Sequence, residues 1–588
     1  MKNNTLLIGL LLAAALSLAS APAAAPTGAA RVTAPGCNLP ETRPLWIDFG
    51  DGSVPFWDRI FTRPGVIAAA SNFQIPPRLR AAGAKTVYWD MHLRNRVGTP
   101  TKPADPLLVI DQADRLFLRA VASSACATPV IALNELFGAA TATPWSPSNA
   151  QYRANVLAFV RRLSALGARP HLLVSSAPYT AGEAAQWWRD VADAADLVRE
   201  VYFKGPRIHA QGPLVGSMTM RVALRAAIQD FTEVGIPASR LGLMLGFHTT
   251  KGVGSGREGL QPTSAWLDVV KLEALAAKQV AGELTVATVW SWGWGVWSKG
   301  ETDPDKEAAA CVWLWSRDPG LCDGPRLAGA GFDASRVEGR LPPGTQCVLG
   351  ENAVSRAQLA AIARLTGDEE AALSALHARL VLAQETDLAP AELETAEAAL
   401  VSSSFRGSWA RYRATLAAAG ASRSLARSII ATEARELKVR RRLRVARPTG
   451  GQVLDWYTTY ATLPARAVQA RPAPWWLGGR RSGIALSTIA PTAVFKGDEK
   501  KPFVVATADG QVRVRADGPT LPLGAFPPSL ATRAIAAALQ ESARMVAFEK
   551  WLLARQTAAL RRTVCVRDGL PAPEPVDLTA FLPFLAVG

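Results

Sequence analysis

Eight short apolar runs, each separated from the next by a stretch of helical periodicity, constrain most strongly what this chain can fold into. They cover residues 45–49, 66–70, 86–90, 130–133, 171–175, 197–203, 241–247 and 284–290. Strands that are apolar on both faces and alternate with amphipathic segments predict a parallel sheet covered by helices. Eight such units over roughly 270 residues match the usual size of a (β/α)8 barrel, about 250 residues. The expected fold class is α/β: a (β/α)8 TIM barrel over residues 40–325, then a mostly α-helical domain with a small β-containing insert.

At 588 residues the chain is too long for one ordinary core, which sets the expectation of two or three domains. Its start, Met1-Lys2-Asn3-Asn4 followed by an apolar run over 5–18 and an Ala/Pro-rich stretch, has the layout of a signal peptide. Residues 1–25 are expected to be that peptide, and the protein is expected to be secreted or extracytoplasmic, in the cell envelope. No later apolar run reaches the roughly 20 residues that span a bilayer. Six cysteines in an exported chain allow three disulfides. Cys311 and Cys322 are close in sequence, Cys347 and Cys565 bracket the C-terminal half, and Cys37 and Cys126 then remain. Their spacings do not match a zinc site, so no metal is expected, and no cofactor fingerprint stands out. Gly252-Val253-Gly254-Ser255-Gly256 lacks the lysine of a phosphate-binding loop and reads as a lid.

The formal charge is +16, and its sharpest cluster is Lys438-Val439-Arg440-Arg441-Arg442-Leu443-Arg444. One reading is attraction to an anionic envelope surface. The other is a solvated helix end, where cations favour the negative pole of the dipole. Export argues against nucleic acid as a partner.

A Gly/Pro-rich stretch over 326–350 reads as a linker, after which the composition turns to Ala, Leu, Arg and Glu. Helices are expected at 355–365, 369–385, 389–403, 408–419 and 422–444, with Ser355, Asp368 and Ser422 as caps. An insert at about 450–528 is strand-like, and its Asp509-Gly510 between alternating segments signals a hairpin. A long helix is expected at 529–562. This plan for 351–588 resembles the SurA/trigger-factor type of extracytoplasmic chaperone. The resemblance implies unfolded exported proteins as partners and a parvulin-type isomerase module at the insert. The chain has five histidines, His92, His171, His209, His248 and His377, none of them in 448–528. Isomerase activity is therefore not expected.

The chemistry is expected in the barrel. Asn134-Glu135 follow the fourth apolar run, and barrels keep their chemistry at the carboxyl ends of their strands. A glutamate leaving an apolar strand is partly desolvated, which raises its pKa toward that of a useful acid. The pattern resembles retaining glycoside hydrolases of the large (β/α)8 superfamily. The resemblance implies Glu135 as general acid/base, Asn134 beside it on the substrate, and Trp290, Trp292 and Trp294 lining a sugar subsite. Thirteen of eighteen tryptophans lie in the barrel region, though Trp187, Trp188, Trp313 and Trp315 read as packing residues.

Glycosidic cleavage needs a second carboxylate. The superfamily places it on strand seven, where this chain has none. Asp90 and Asp48, each leaving a strand, are the expected catalytic partners, with Glu258 a further candidate and Glu200 a mid-strand structural residue. His92 and His248 are expected as hydrogen-bond donors to substrate, and Lys204 as a contact for an anionic sugar. Three readings stand at this point: an exported glycoside hydrolase acting on polysaccharide, a carbohydrate-binding pseudoenzyme, and a SurA-like chaperone without isomerase activity. The partner in the first two is a polysaccharide or other glycan.

Overall fold

The computed structural model describes residues 39–588 apart from 51–55, 135, 137–148, 296–302, 324–330, 334–338, 406, 419–420, 500, 508–509, 569 and 571–588. The expected signal peptide, Cys37 and Glu135 lie outside the described residues.

Eight parallel strands close into a barrel: β1 (Leu45–Phe49), β2 (Ile67–Ala70), β3 (Lys85–Asp90), β4 (Val130–Leu133), β5 (Arg169–Val174), β6 (Asp196–Glu200), β7 (Leu241–Gly246) and β8 (Thr288–Trp292). The ring closes where β1 pairs with β8, Leu45 opposite Thr288 and Asp48 opposite Ser291. The (β/α)8 fold class expected from the eight runs is thus what the chain forms.

Two strands differ from their apolar runs in ways that matter for the site. The eighth run was expected to begin at 284, but Leu284 ends the helix Thr263–Leu284, which Thr285 caps with a left-handed backbone. That helix is apolar almost all round because it is buried between neighbours, so composition alone joins it to the strand. The sixth run was expected to continue to 203, but sheet pairing stops at Glu200. Val201, Tyr202 and Phe203 continue its apolar character because they are packed at the barrel mouth.

Strand alternation divides the core into two layers. Ile47, Phe49, Ile67, Ala69, Val87, Trp89, Val130, Ala132, Leu173, Val198, Met244 and Trp290 fill the lumen. The other parity, with Ala68, Tyr88, Ile131, Leu172, Leu197 and Leu243, packs against the helices. The lumen is not wholly apolar. His171 and Asp196 meet at 3.6 Å, and Arg240 reaches Asp196 at 2.7 Å. Burial pushes the His171 imidazole down to about 4, against the pull of the Asp196 carboxylate.

The C-terminal half is tied back by a three-stranded sheet in the order Asn352–Ser355, Thr345–Leu349, Val564–Cys565. Cys347 and Cys565 face each other across that sheet and form a disulfide, and Cys311–Cys322, the two cysteines close in sequence, form a second. Cys126 is also disulfide-bonded. Helices follow at Arg356–Thr366, Glu369–Glu385, Pro390–Ser404, Trp409–Ala418 and Arg423–Arg442. Ser355, Asp368 and Ser422 cap three of them through side-chain hydrogen bonds. An antiparallel sheet runs in the order Ser482–Leu486, Pro464–Arg471, Gly510–Ala516, Phe503–Thr507. The long helix Pro528–Ala559 then returns the chain to Val564–Cys565. No described helix is long and apolar enough to cross a membrane.

Candidate active site at the mouth of the barrel

The carboxyl ends of β6, β7 and β8 bring together Glu200, Tyr202, His248 and Trp292, and Asn134 follows the end of β4. On β6, alternation turns Arg199 outward to the carbonyl of Val174, while Glu200 shares the parity of the lumen residue Val198. Glu200 is therefore the last residue of a strand and faces the mouth, rather than lying mid-strand as the apolar run implies. The Tyr202 hydroxyl donates to Glu200 Oε2. Burial first, and then the neighbouring Glu200 charge, push the Tyr202 phenol well above its usual range. It stays protonated, and so a donor, at any working pH.

Trp292 forms the wall beside this pair. Its ring lies 5.5 Å from that of Tyr202 and 5.0 Å from that of His248. Gly246 makes the close approach possible, since a Cβ there would lie 2.8 Å from Trp292 Nε1 and 2.9 Å from Ser255 Oγ. Asn134, on the lumen side after β4, donates from Nδ2 to the carbonyl of Met91 at 3.2 Å. Its own carbonyl accepts from Leu93. His92 lies next to that turn and is half-buried.

The glycine-rich loop after β7 folds back over this side. Gly256 bonds with both Phe203 and Gly205, which sets it beside Lys204, an exposed residue at the start of the helix Gly205–Thr232. Glu258 accepts from the backbone N–H groups of Gly252 (2.6 Å) and Gly254. Burial alone would raise its pKa, but those hydrogen bonds outweigh burial and, with Lys204 and His248, hold the carboxyl below its ordinary value. Glu258 is thus the anchor of its own loop.

Four residues expected at the site are placed elsewhere. Asp48 has the outward parity of β1 and is wholly buried behind the barrel wall. It accepts from Ser291 Oγ (2.7 Å), Trp313 Nε1 (2.8 Å) and both terminal nitrogens of Arg317 (3.2 and 2.8 Å). Asp90 also points outward, paired with Arg96 at 3.1 Å. Trp290 is buried in the lumen beneath the mouth, and its Nε1 donates to Thr288. Trp294 is buried outside the barrel wall, stacked 4.5 Å from Phe247 and donating to Ser291. Strand ends are where acids and tryptophans signal a site, but the parity of each position decides which side of the sheet it serves. Of the three tryptophans, only Trp292 is both inward and at the rim. Glu200 is hidden in the sequence because the apolar run continues past it to Phe203, while sheet pairing stops at Glu200. Its inward parity with Val198 was the available signal.

Among the described residues, no group of three or more His, Cys, Asp or Glu has the arrangement of a metal centre.

No protein-family profile matches the chain, and no curated protein matches it. Among solved structures, a family 5 glycoside hydrolase from Prevotella bryantii B14, in complex with a xyloglucan tetradecasaccharide, is 11% identical over 44% of this chain and 83% of its own, with a TM-score of 0.29. An endo-β-N-acetylglucosaminidase from Cordyceps militaris is 12% identical over 47% of this chain and 91% of its own, at 0.28. A D-psicose 3-epimerase from Clostridium cellulolyticum H10 is 12% identical over 43% of this chain and 89% of its own, at 0.25. These proteins carry out different chemistries, and the likeness does not choose between them. What this chain's own fold and site define is a closed (β/α)8 barrel with a carboxylate, a phenol, an imidazole and an indole gathered at its carboxyl-end mouth.

Proposed function

We propose that the barrel binds a glycan at its carboxyl-end mouth and hydrolyses it, with Glu135 as general acid/base and Glu200 as the second carboxylate. The observation that carries this reading is the inward Glu200 at the end of β6, held by Tyr202 beside the Trp292 ring. Cleavage needs one carboxyl group to protonate the leaving oxygen and another to capture or stabilise the oxocarbenium-like centre. An indole face with a carboxylate and an imidazole at its edge suits a sugar ring, which presents apolar C–H faces and polar rims. Tyr202 orients Glu200, His248 and Asn134 donate to sugar hydroxyls, and Lys204 at the rim favours an anionic sugar. Disulfides fit an oxidising compartment, so the proposed setting is outside the cytoplasm, at an envelope or extracellular polysaccharide.

A glycan-array screen of the purified protein, followed by hydrolysis assays on the hits, tests this. Glu135→Gln and Glu200→Gln are each expected to keep binding while turnover falls about 10²–10⁴-fold, the usual contribution of general acid–base catalysis. Binding without turnover in the unaltered protein would instead establish a carbohydrate-binding pseudoenzyme. Turnover that survives Glu200→Gln would remove Glu200 from the mechanism.

For residues 351–588 a second reading is supported by one feature. The helix Pro528–Ala559 leaves Leu530, Met545, Val546 and Leu553 exposed, which suits transient contact with an unfolded exported protein. Suppression of client aggregation without prolyl isomerase activity is the expected result. Absence of suppression under oxidising conditions would refute it.

A further inference from the structure

A cavity of about 470 Å³ lies between the outer helices of the barrel and the sheet that ties back the C-terminal half. Arg221 and Lys278 reach it from the barrel, and Arg340 and Arg356 from the C-terminal side, with Ser217 and Gln279 adding polar groups. The charge of these four cations is poorly compensated. Asp568 binds Arg221 through two hydrogen bonds of 2.6 and 2.9 Å and is shared with Arg225, which also holds Glu283. Lys278 donates to the carbonyl of Arg317, a neutral acceptor. Arg340 and Arg356 have no ion-pair partner among the described residues. Counting Arg221, Arg225, Lys278, Arg340 and Arg356 against Asp568 and Glu283 leaves three positive charges around one concave space.

We propose that this cavity binds a compact polyanion bearing phosphate or carboxylate oxygens. Guanidinium forks match such oxygens in bidentate geometry, and a concave, low-dielectric wall strengthens each contact. No aromatic ring is among the lining residues, so the stacking that neutral sugars rely on is missing. The site is therefore distinct in chemistry from the barrel mouth. Because its walls come from both halves of the chain, occupancy links them. Cys565 is itself part of the lining, so a bound anion also shields the Cys347–Cys565 disulfide.

Isothermal titration of the full-length protein at low salt, with inorganic pyrophosphate, citrate and a neutral oligosaccharide in separate arms, tests the proposal. Saturable binding of pyrophosphate, citrate or both is expected, and the stronger arm identifies the oxygen chemistry; any binding of the neutral sugar belongs to the barrel mouth and is expected to be the same in the cavity variant below. The double variant Arg340→Ser/Arg356→Ser, at two exposed positions, is expected to weaken binding at least tenfold. A control, Arg411→Ser/Arg413→Ser at two exposed positions of the helix Trp409–Ala418 that do not line the cavity, is expected to leave it unchanged. The bound anion is also expected to slow reduction of the protein by dithiothreitol. No saturable binding of either anion would overturn the site. Equal weakening by both double variants would overturn it too, by showing a general response to surface charge.

Discussion

Arg317 meets Asp48 at 2.8 Å across 269 residues of sequence, with both side chains almost wholly shielded from water. The pair joins the first strand of the barrel to the helix Asp303–Arg317 that covers it, and Trp313 and Ser291 complete the set of donors around the carboxylate. A carboxylate so enclosed is a fastening of the barrel closure. Asp48→Asn is expected to lower unfolding stability by about 3–5 kcal/mol, because it leaves a buried guanidinium uncompensated. Urea denaturation followed by tryptophan fluorescence measures this. An unchanged midpoint with lost hydrolysis would return Asp48 to the catalytic candidates.

The three tryptophans near β8 are expected to separate in behaviour. Trp292→Ala should weaken glycan binding about ten- to thirtyfold, equivalent to about 1–2 kcal/mol of lost ring contact. Trp290→Phe and Trp294→Phe should lower thermal stability and leave affinity nearly unchanged, since both rings are buried. Affinity measurements paired with melting curves distinguish the two outcomes.

Removing the Cys347–Cys565 bridge frees a closed loop with a sequence separation of 218 residues. On the chain-entropy account this costs about 5 kcal/mol. The Cys347→Ser/Cys565→Ser variant should therefore unfold at markedly lower denaturant concentration. It should also become sensitive to proteolysis in the C-terminal half before the barrel.

Stability should fall on mild acidification, for a reason that can be located. Burial holds both His171 and His377 down to about 4 in the folded chain, whereas an unfolded histidine titrates near 6.5. Between those values the unfolded state binds more protons, so stability is full above pH about 6.5 and declines as pH falls toward 4. Each histidine adds a slope of about 1.4 kcal/mol per pH unit within that window. His171→Asn should reduce the slope by one histidine's share. An identical slope in the variant would show that His171 titrates alike in the folded and unfolded states.

Much of the architecture could be read along the chain because it depends on local pattern. Eight apolar runs, the capping residues Ser355, Asp368 and Ser422, and the pairing of Cys311 with Cys322 each follow from near neighbours. The site followed the sequence only in part. Trp292 and His248 lie 5.0 Å apart at the mouth, whereas Asp48, Asp90 and Trp294 face outward and Trp290 is buried deeper in the lumen.

The division has a physical cause. Sequence by itself determines periodicity, and periodicity selects the element and the class of sheet. Which face of a strand meets the lumen depends on where sheet pairing begins and ends, and a shift of one residue exchanges the two faces. Glu200 shows the consequence. Its strand and the apolar run around it are visible in sequence, but only the closed barrel ends that strand at Glu200 and turns the carboxylate into the mouth. The cationic cavity is further still from local pattern, since Arg221 and Lys278 approach Arg340 and Arg356 only after two separately cored halves pack together.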